Sequence, residues 1–192
     1  ERNFVYYSII KKKKKVMLSE KVFKSGYDVT SKSKLAGSEK NDCFVRACSN
    51  AFDVSYEAAH EFVAERFNRK NGKGTKMCNL RMKDLQNEVL EFQPEGQLSL
   101  FSDNGGKRIK VKHIGDTPKV GGRLINKSYT HKKVAYTVKT FMQRFKNGTY
   151  ILLVNKHALV CKGGVIFDNG DMQFGGYRRP VEAAFKIEEE LN

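Results

Sequence analysis

The chain has 192 residues, of which 40% are hydrophobic and 30% charged, enough apolar material for one elaborated domain. Its 36 basic and 21 acidic residues leave a formal charge of +15, a field that favours polyanions or acidic protein surfaces. No apolar run approaches the roughly 20 residues of a membrane-spanning helix, and residues 1–10 lack the basic-then-apolar order of a secretion signal.

Residues 1–40 read as a basic leader. Phe4–Ile10 is expected as a strand, the Lys11–Lys15 run as a solvated or polyanion-binding segment, Val16–Phe23 as a second strand, and Ser25–Lys40 as loop. From Asn41 onward the pattern sharpens. Phe44, Ala47, Cys48 and Ala51 recur at helical spacing on a small apolar face, which predicts a buried helix with Cys43 at its start. Ser55 is placed to cap a second helix whose stripe is Tyr56, Ala59, Phe62, Val63 and Phe67, stopped by Asn71-Gly72-Lys73-Gly74. A third helix is expected over Met82–Glu91, with Leu85, Val89 and Phe92 inward.

Residues 93–133 read as a basic insertion. It holds short strands at Leu98–Phe101 and Ile109–Ile114, turns at Gly105-Gly106 and Gly121-Gly122, and a long loop over Gly115–Lys133. Thr137 then caps a short helix, Val138–Phe145. Three strands follow at Thr149–Val154, His157–Lys162 and Val165–Asp168, the last two joined by a Gly163-Gly164 hairpin turn. Asn169–Gly176 is expected as a Gly-rich loop. The alternation of Val181, Ala183, Phe185 and Ile187 predicts a closing strand. Helices followed by an antiparallel sheet make an α+β fold.

Four cysteines, Cys43, Cys48, Cys78 and Cys161, carry no CxxC pair and no Cys/His cluster with zinc spacing. They read as free thiols, and no metal or cofactor is expected. A nucleophilic cysteine acts as thiolate, and the unpaired N–H groups of a helix N-terminus favour that form. Cys43 has this position; Cys48 lies inside the helix, Cys161 in a strand and Cys78 in a loop. His157 opens a strand and is the candidate base. Asp168 closes the hairpin partner and is the candidate orienting group, with Asn169 as the neighbouring alternative on the opposite strand face. Backbone N–H groups beside Cys43 suit an oxyanion.

The segments Asn41-Asp42-Cys43-Phe44-Val45-Arg46-Ala47, Ser55-Tyr56-Glu57, Gly148 through Asp168, and Arg178-Arg179-Pro180-Val181 with Phe185 resemble small papain-like cysteine peptidases found in bacteriophage genomes. The match spans about residues 41–69 and 137–187, a little over half of the chain. The resemblance implies a papain-like domain over residues 41–192, with Cys43 as nucleophile, His157 as general base and acid, and Asp168 as orienting group. It implies hydrolysis of a peptide or isopeptide bond in a protein or peptide substrate, in the virion or the cytoplasm of an infected bacterial cell. Papain proper has a glutamine oxyanion donor six residues before its cysteine. Here that position is Gly37, and Asn41, the nearest side-chain amide, is the candidate substitute, with a turn or cap role as the alternative.

A different class of function also fits the charge. A virion structural or interaction protein retaining the peptidase fold would use Lys11–Lys15 and the Lys107–Lys133 stretch against nucleic acid or acidic virion proteins. A dedicated nucleic-acid module ranks lower, because no recognised binding motif is present.

Overall fold

The computed structural model describes residues 23–25, 33–92, 107–116, 119–120, 123–124, 136–168 and 178–190. The expectations for Phe4–Ile10, Lys11–Lys15, Leu98–Phe101, Gly105-Gly106, Gly121-Gly122 and Asn169–Gly176 lie outside these residues, as does most of Val16–Phe23.

The elements in chain order are β1 (Phe23–Ser25), α1 (Lys34–Ser38), α2 (Cys43–Phe52), α3 (Tyr56–Phe67) and α4 (Cys78–Asp84), the last running into a 3-10 turn at Leu85–Asn87. Then come β2 (Val89–Phe92), β3 (Lys107–Asp116), β4 (Lys119–Val120), β5 (Arg123–Leu124) and α5 (Val138–Arg144). The chain closes with β6 (Thr149–Val154), β7 (His157–Lys162), β8 (Val165–Asp168) and β9 (Ala183–Glu190). The architecture is α+β. Six strands form an antiparallel sheet in the order β8-β7-β6-β9-β3-β2, and β1 adds to its β8 edge in parallel.

Local sequence explains most of these elements. The Ser55 hydroxyl accepts from the Ala58 N–H to start α3, and Thr137 exchanges reciprocal bonds with Thr140 to start α5, each satisfying orphan donors of a first turn. Gly163 and Gly164 both have positive φ, 59° and 74°, the pair of left-handed residues a two-residue hairpin turn requires. Helix α3 stops where Asn68 turns left-handed, three residues before the expected Asn71-Gly72 signal.

Alternation divides the sheet between two cores. Ile151, Leu153, Ala158, Val160, Ala183, Phe185 and Ile187 face α2 and α3. Tyr150, Leu152, Val154, Leu159, Cys161, Ile166 and Ala184 face α5 on the other side. Helices on both faces explain why β6 reads as a continuous apolar run. On the first face Phe52 packs against Phe62 and Phe92, with ring centroids 5.5 and 5.4 Å apart, so helix α2 is anchored far from its N-terminus.

Two stretches differ from the sequence reading. The helix expected over Met82–Glu91 ends early, because Val89–Phe92 pairs with Lys107–Lys110 as a strand. Its buried residues are Leu90 and Phe92, at period two, and Val89 is only partly covered. Within the stretch read as an insertion, Lys107–Asp116 is a long strand of the main sheet, with Ile109 and Val111 in the core. Lys119–Val120 pairs with Arg123–Leu124 inside the expected long loop. Ser25–Lys40, read as loop, contains α1.

Candidate active site

Helix α2 approaches the sheet closely because its inward face is small: Ala47, Cys48 and Ala51 are all buried. Its N-terminus ends beside the start of β7, and Cys43 is the first helical residue. The backbone N–H groups of this turn have no partner within the helix, so positive peptide dipoles converge at the Cys43 thiol.

His157 and Asp168 meet through strand register. Val160 pairs with Phe167, so continuing the ladder sets Asp168 opposite Leu159. His157, two residues before Leu159, then lies on the same face as a diagonal neighbour. His157 Nε2 is 2.7 Å from Asp168 Oδ1, and the two side chains are only 9% and 4% exposed. With Nε2 turned to the carboxylate, Nδ1 is the ring nitrogen left for the thiol.

The His157 ring is strongly basic, with a pKa raised to about 10. Burial opposes this and is the largest single effect, but the hydrogen bonds to Asp168 and Cys43, and the charges of both, outweigh it together. The other three thiols are held protonated. Burial pushes Cys78 up to about 12 and Cys161 up to about 11, and raises Cys48 well above the ordinary thiol range. All four cysteines are free. The three residues singled out as nucleophile, base and orienting group thus converge, and a protonated imidazole between a thiol and a carboxylate is an arrangement suited to acyl transfer.

Cys43 and Asp168 line a small pocket of about 10 Å³ together with Arg46, Ala47, Asn50, Ala158, Leu159 and Phe167. That is room for one water molecule.

Asn41 has a left-handed backbone, φ 55°, and its side-chain amide donates to the Gly72 carbonyl at 3.4 Å. It is a turn residue tied to the loop after α3. Gly37 lies in α1 with open space where a side chain would project. Among the described residues, the donors that the fold itself aims at this point are the backbone N–H groups of the α2 N-terminus.

Sequence reasoning missed a buried polar network that holds this N-terminus. Asp42 caps α2 without bonding its first turn. Its carboxylate instead takes a hydrogen bond from Arg46 Nε at 2.9 Å and one from the Tyr56 hydroxyl at 2.7 Å. Burial, and then the bond to Asp42, raise the Tyr56 pKa. Arg46 also donates to the Ala36 carbonyl at 3.0 Å, and its guanidinium lies 5.6 Å from the Tyr56 ring centroid. A second cluster continues it. Arg69 donates to Glu39 Oε2 at 2.7 Å and sits 3.0 Å from His60 Nε2, while the Gly72 N–H donates to the same carboxylate oxygen at 2.8 Å. The available signal was Arg46 and His60, two polar residues on otherwise apolar helical stripes.

Among the described residues, no group of three or more His, Cys, Asp or Glu side chains is placed to hold a metal ion, and no helix is long and apolar enough to cross a membrane. Comparison with protein-family models, with curated proteins and with solved structures found no match.

Proposed function

We propose that the protein is a papain-like cysteine peptidase, or a close relative, that hydrolyses a peptide or isopeptide bond. The observation that carries this reading is the buried 2.7 Å His157–Asp168 contact beside a cysteine at a helix N-terminus. The Cys43 thiolate attacks the substrate carbonyl carbon and forms a C–S bond. The resulting oxyanion lies against the backbone N–H groups of the α2 N-terminus. Collapse breaks the C–N bond, and the leaving amine takes the proton of the His157 imidazolium. Neutral His157 then removes a proton from water as it attacks the thioester. Release of the carboxylic acid restores thiolate and imidazolium. Asp168 keeps the ring oriented and stabilises its protonated form. On this reading the site of action is the virion or the cytoplasm of the infected bacterial cell, the setting of the bacteriophage enzymes whose motifs the chain resembles.

The test is turnover. Incubating the protein with a tryptic peptide library and identifying new termini by mass spectrometry should give cleavage by the wild type and none by Cys43→Ala. Equal cleavage by Cys43→Ala, or no cleavage by either with Cys43 reduced, would contradict the reading.

A further inference from the structure

The loop that follows α3 is pinned along the residues leading into Cys43. Its Gly72 N–H donates to Glu39 at 2.8 Å, and its Gly72 carbonyl accepts from Asn41 at 3.4 Å. A Cβ on Gly74 would lie 3.8 Å from that of Asn41. At the loop's far end the Cys78 thiol is close enough to feel the charge of Cys43. The loop therefore runs alongside the residues that lead into Cys43, and its far end lies close to the Cys43 thiol.

This loop is basic. Lys70, Lys73 and Lys76 are all exposed, and no acidic residue occurs between Lys70 and Arg81. Among the described residues none of the three has an ion-pair partner. The cations of the sheet behave differently. Lys107 pairs with Glu189, Arg108 with Glu91, and Lys186 with Glu188. These sheet cations are offset by a neighbouring carboxylate, whereas the charge of the three loop lysines is not.

We propose that the Lys70–Lys76 loop is a recognition surface for acidic side chains, so that the substrate is a protein segment with Asp or Glu flanking the scissile bond. This deepens the peptidase reading and rests on it. A peptide is favoured over nucleic acid because residues 70–77 contain no aromatic side chain on which a base would stack. Exposed charges of this kind act chiefly on encounter rate and on discrimination. Three of them together give a preference on the order of tenfold at low salt.

The experiment uses three peptidyl acyloxymethyl ketones that alkylate an active-site thiol, with recognition sequences Glu-Glu-Ala, Ala-Ala-Ala and Lys-Lys-Ala. Second-order labelling of Cys43 in the full chain is followed by mass spectrometry. The expected order is acidic, then neutral, then basic. The acidic-to-basic ratio should be about ten, fall towards one in roughly 0.5 M salt, and fall likewise in the triple variant Lys70→Ser/Lys73→Ser/Lys76→Ser. Equal labelling by the three probes, a salt-insensitive ratio, or a preference that survives in the triple variant overturns the proposal. Protection of Cys43 by an oligothymidylate but not by poly-glutamate also overturns it, in favour of nucleic acid. If iodoacetamide still selects Cys43 while no peptidyl probe reacts, this proposal fails and the nucleophile stands. If iodoacetamide does not select Cys43, the peptidase reading fails first.

Discussion

At the residue scale, the question is why a carboxylate can sit immediately before Cys43, the proposed nucleophile. A free Asp42 anion would oppose a thiolate at Cys43. Arg46 and Tyr56 neutralise it and fix it inside the protein, where both Asp42 and Arg46 are over nine-tenths buried. Breaking one partner of such a pair is costly, because the other is left charged and unpaired. Arg46→Gln should destabilise the fold by about 3 kcal/mol. Adding Asp42→Asn should recover much of that loss. Urea unfolding of the two single variants and the double variant measures the coupling. Strictly additive losses would show that the pair is not the unit described. The Asp42–Arg46 spacing of four is visible in the sequence, but the spacing alone suits a solvated or a buried pair equally. Only the packing of α1 and α3 over it reveals the burial.

At the scale of elements, the hairpin β7–β8 sets the geometry of the site. Its turn places two successive residues at positive φ, where a Cβ costs on the order of 1 kcal/mol each. Gly163→Ala/Gly164→Ala should therefore lower stability by about 2 kcal/mol, seen as a lower denaturant midpoint with an unchanged slope. It should also slow Cys43 alkylation, because His157 and Asp168 meet only through this register. A normal alkylation rate in the destabilised variant would separate the turn from the site.

This hairpin was legible because its information is local: alternation, two glycines and a strand start at His157. Strands β6, β7 and β8 were read with their observed limits for that reason. The segment Val89–Phe92 was misread because its partner, β3, lies across residues 93–106. Four residues ending in Phe suit a helix end or a strand equally, and only the ladder decides. The same non-local pairing hid the place of Lys107–Asp116 in the main sheet.

At the scale of the molecule, charge has two separate fates. On β3 it is paired across strands at three positions, with Lys107 and Lys110 against glutamates of β9 and Arg108 against Glu91 of β2. These pairs are largely exposed, so each contributes no more than about 1 kcal/mol. Replacing all three cations by Gln should change retention on a DNA column less than replacing the three loop lysines does. The reverse order would assign polyanion contact to the sheet.

Stability should be greatest at mildly acidic pH, between the ordinary carboxylate range and about 6.5. Glu39 has a depressed pKa: burial works against this, but the bonds from Arg69 and Gly72 and nearby positive charge prevail. Its contribution is present above the ordinary carboxylate range and is lost as pH falls through the lower, folded value. His157 has a raised pKa, so its contribution is complete below about 6.5 and is lost as pH rises through about 10. Thermal melts across this range should show the alkaline limb flattened in His157→Ala and the acid limb flattened in Glu39→Gln. Unaltered limbs would mean that neither group is coupled to folding.

Competitive thiol labelling tests the pairing of Cys43 with His157. The native protein is treated with limiting iodoacetamide near pH 6, and each cysteine is quantified by mass spectrometry, alongside His157→Ala. Cys43 should react first, about tenfold or more ahead of Cys78, as a thiolate–imidazolium pair requires, and His157→Ala should remove the advantage. Reaction of Cys43 no faster than Cys78, or an advantage indifferent to His157, would contradict it.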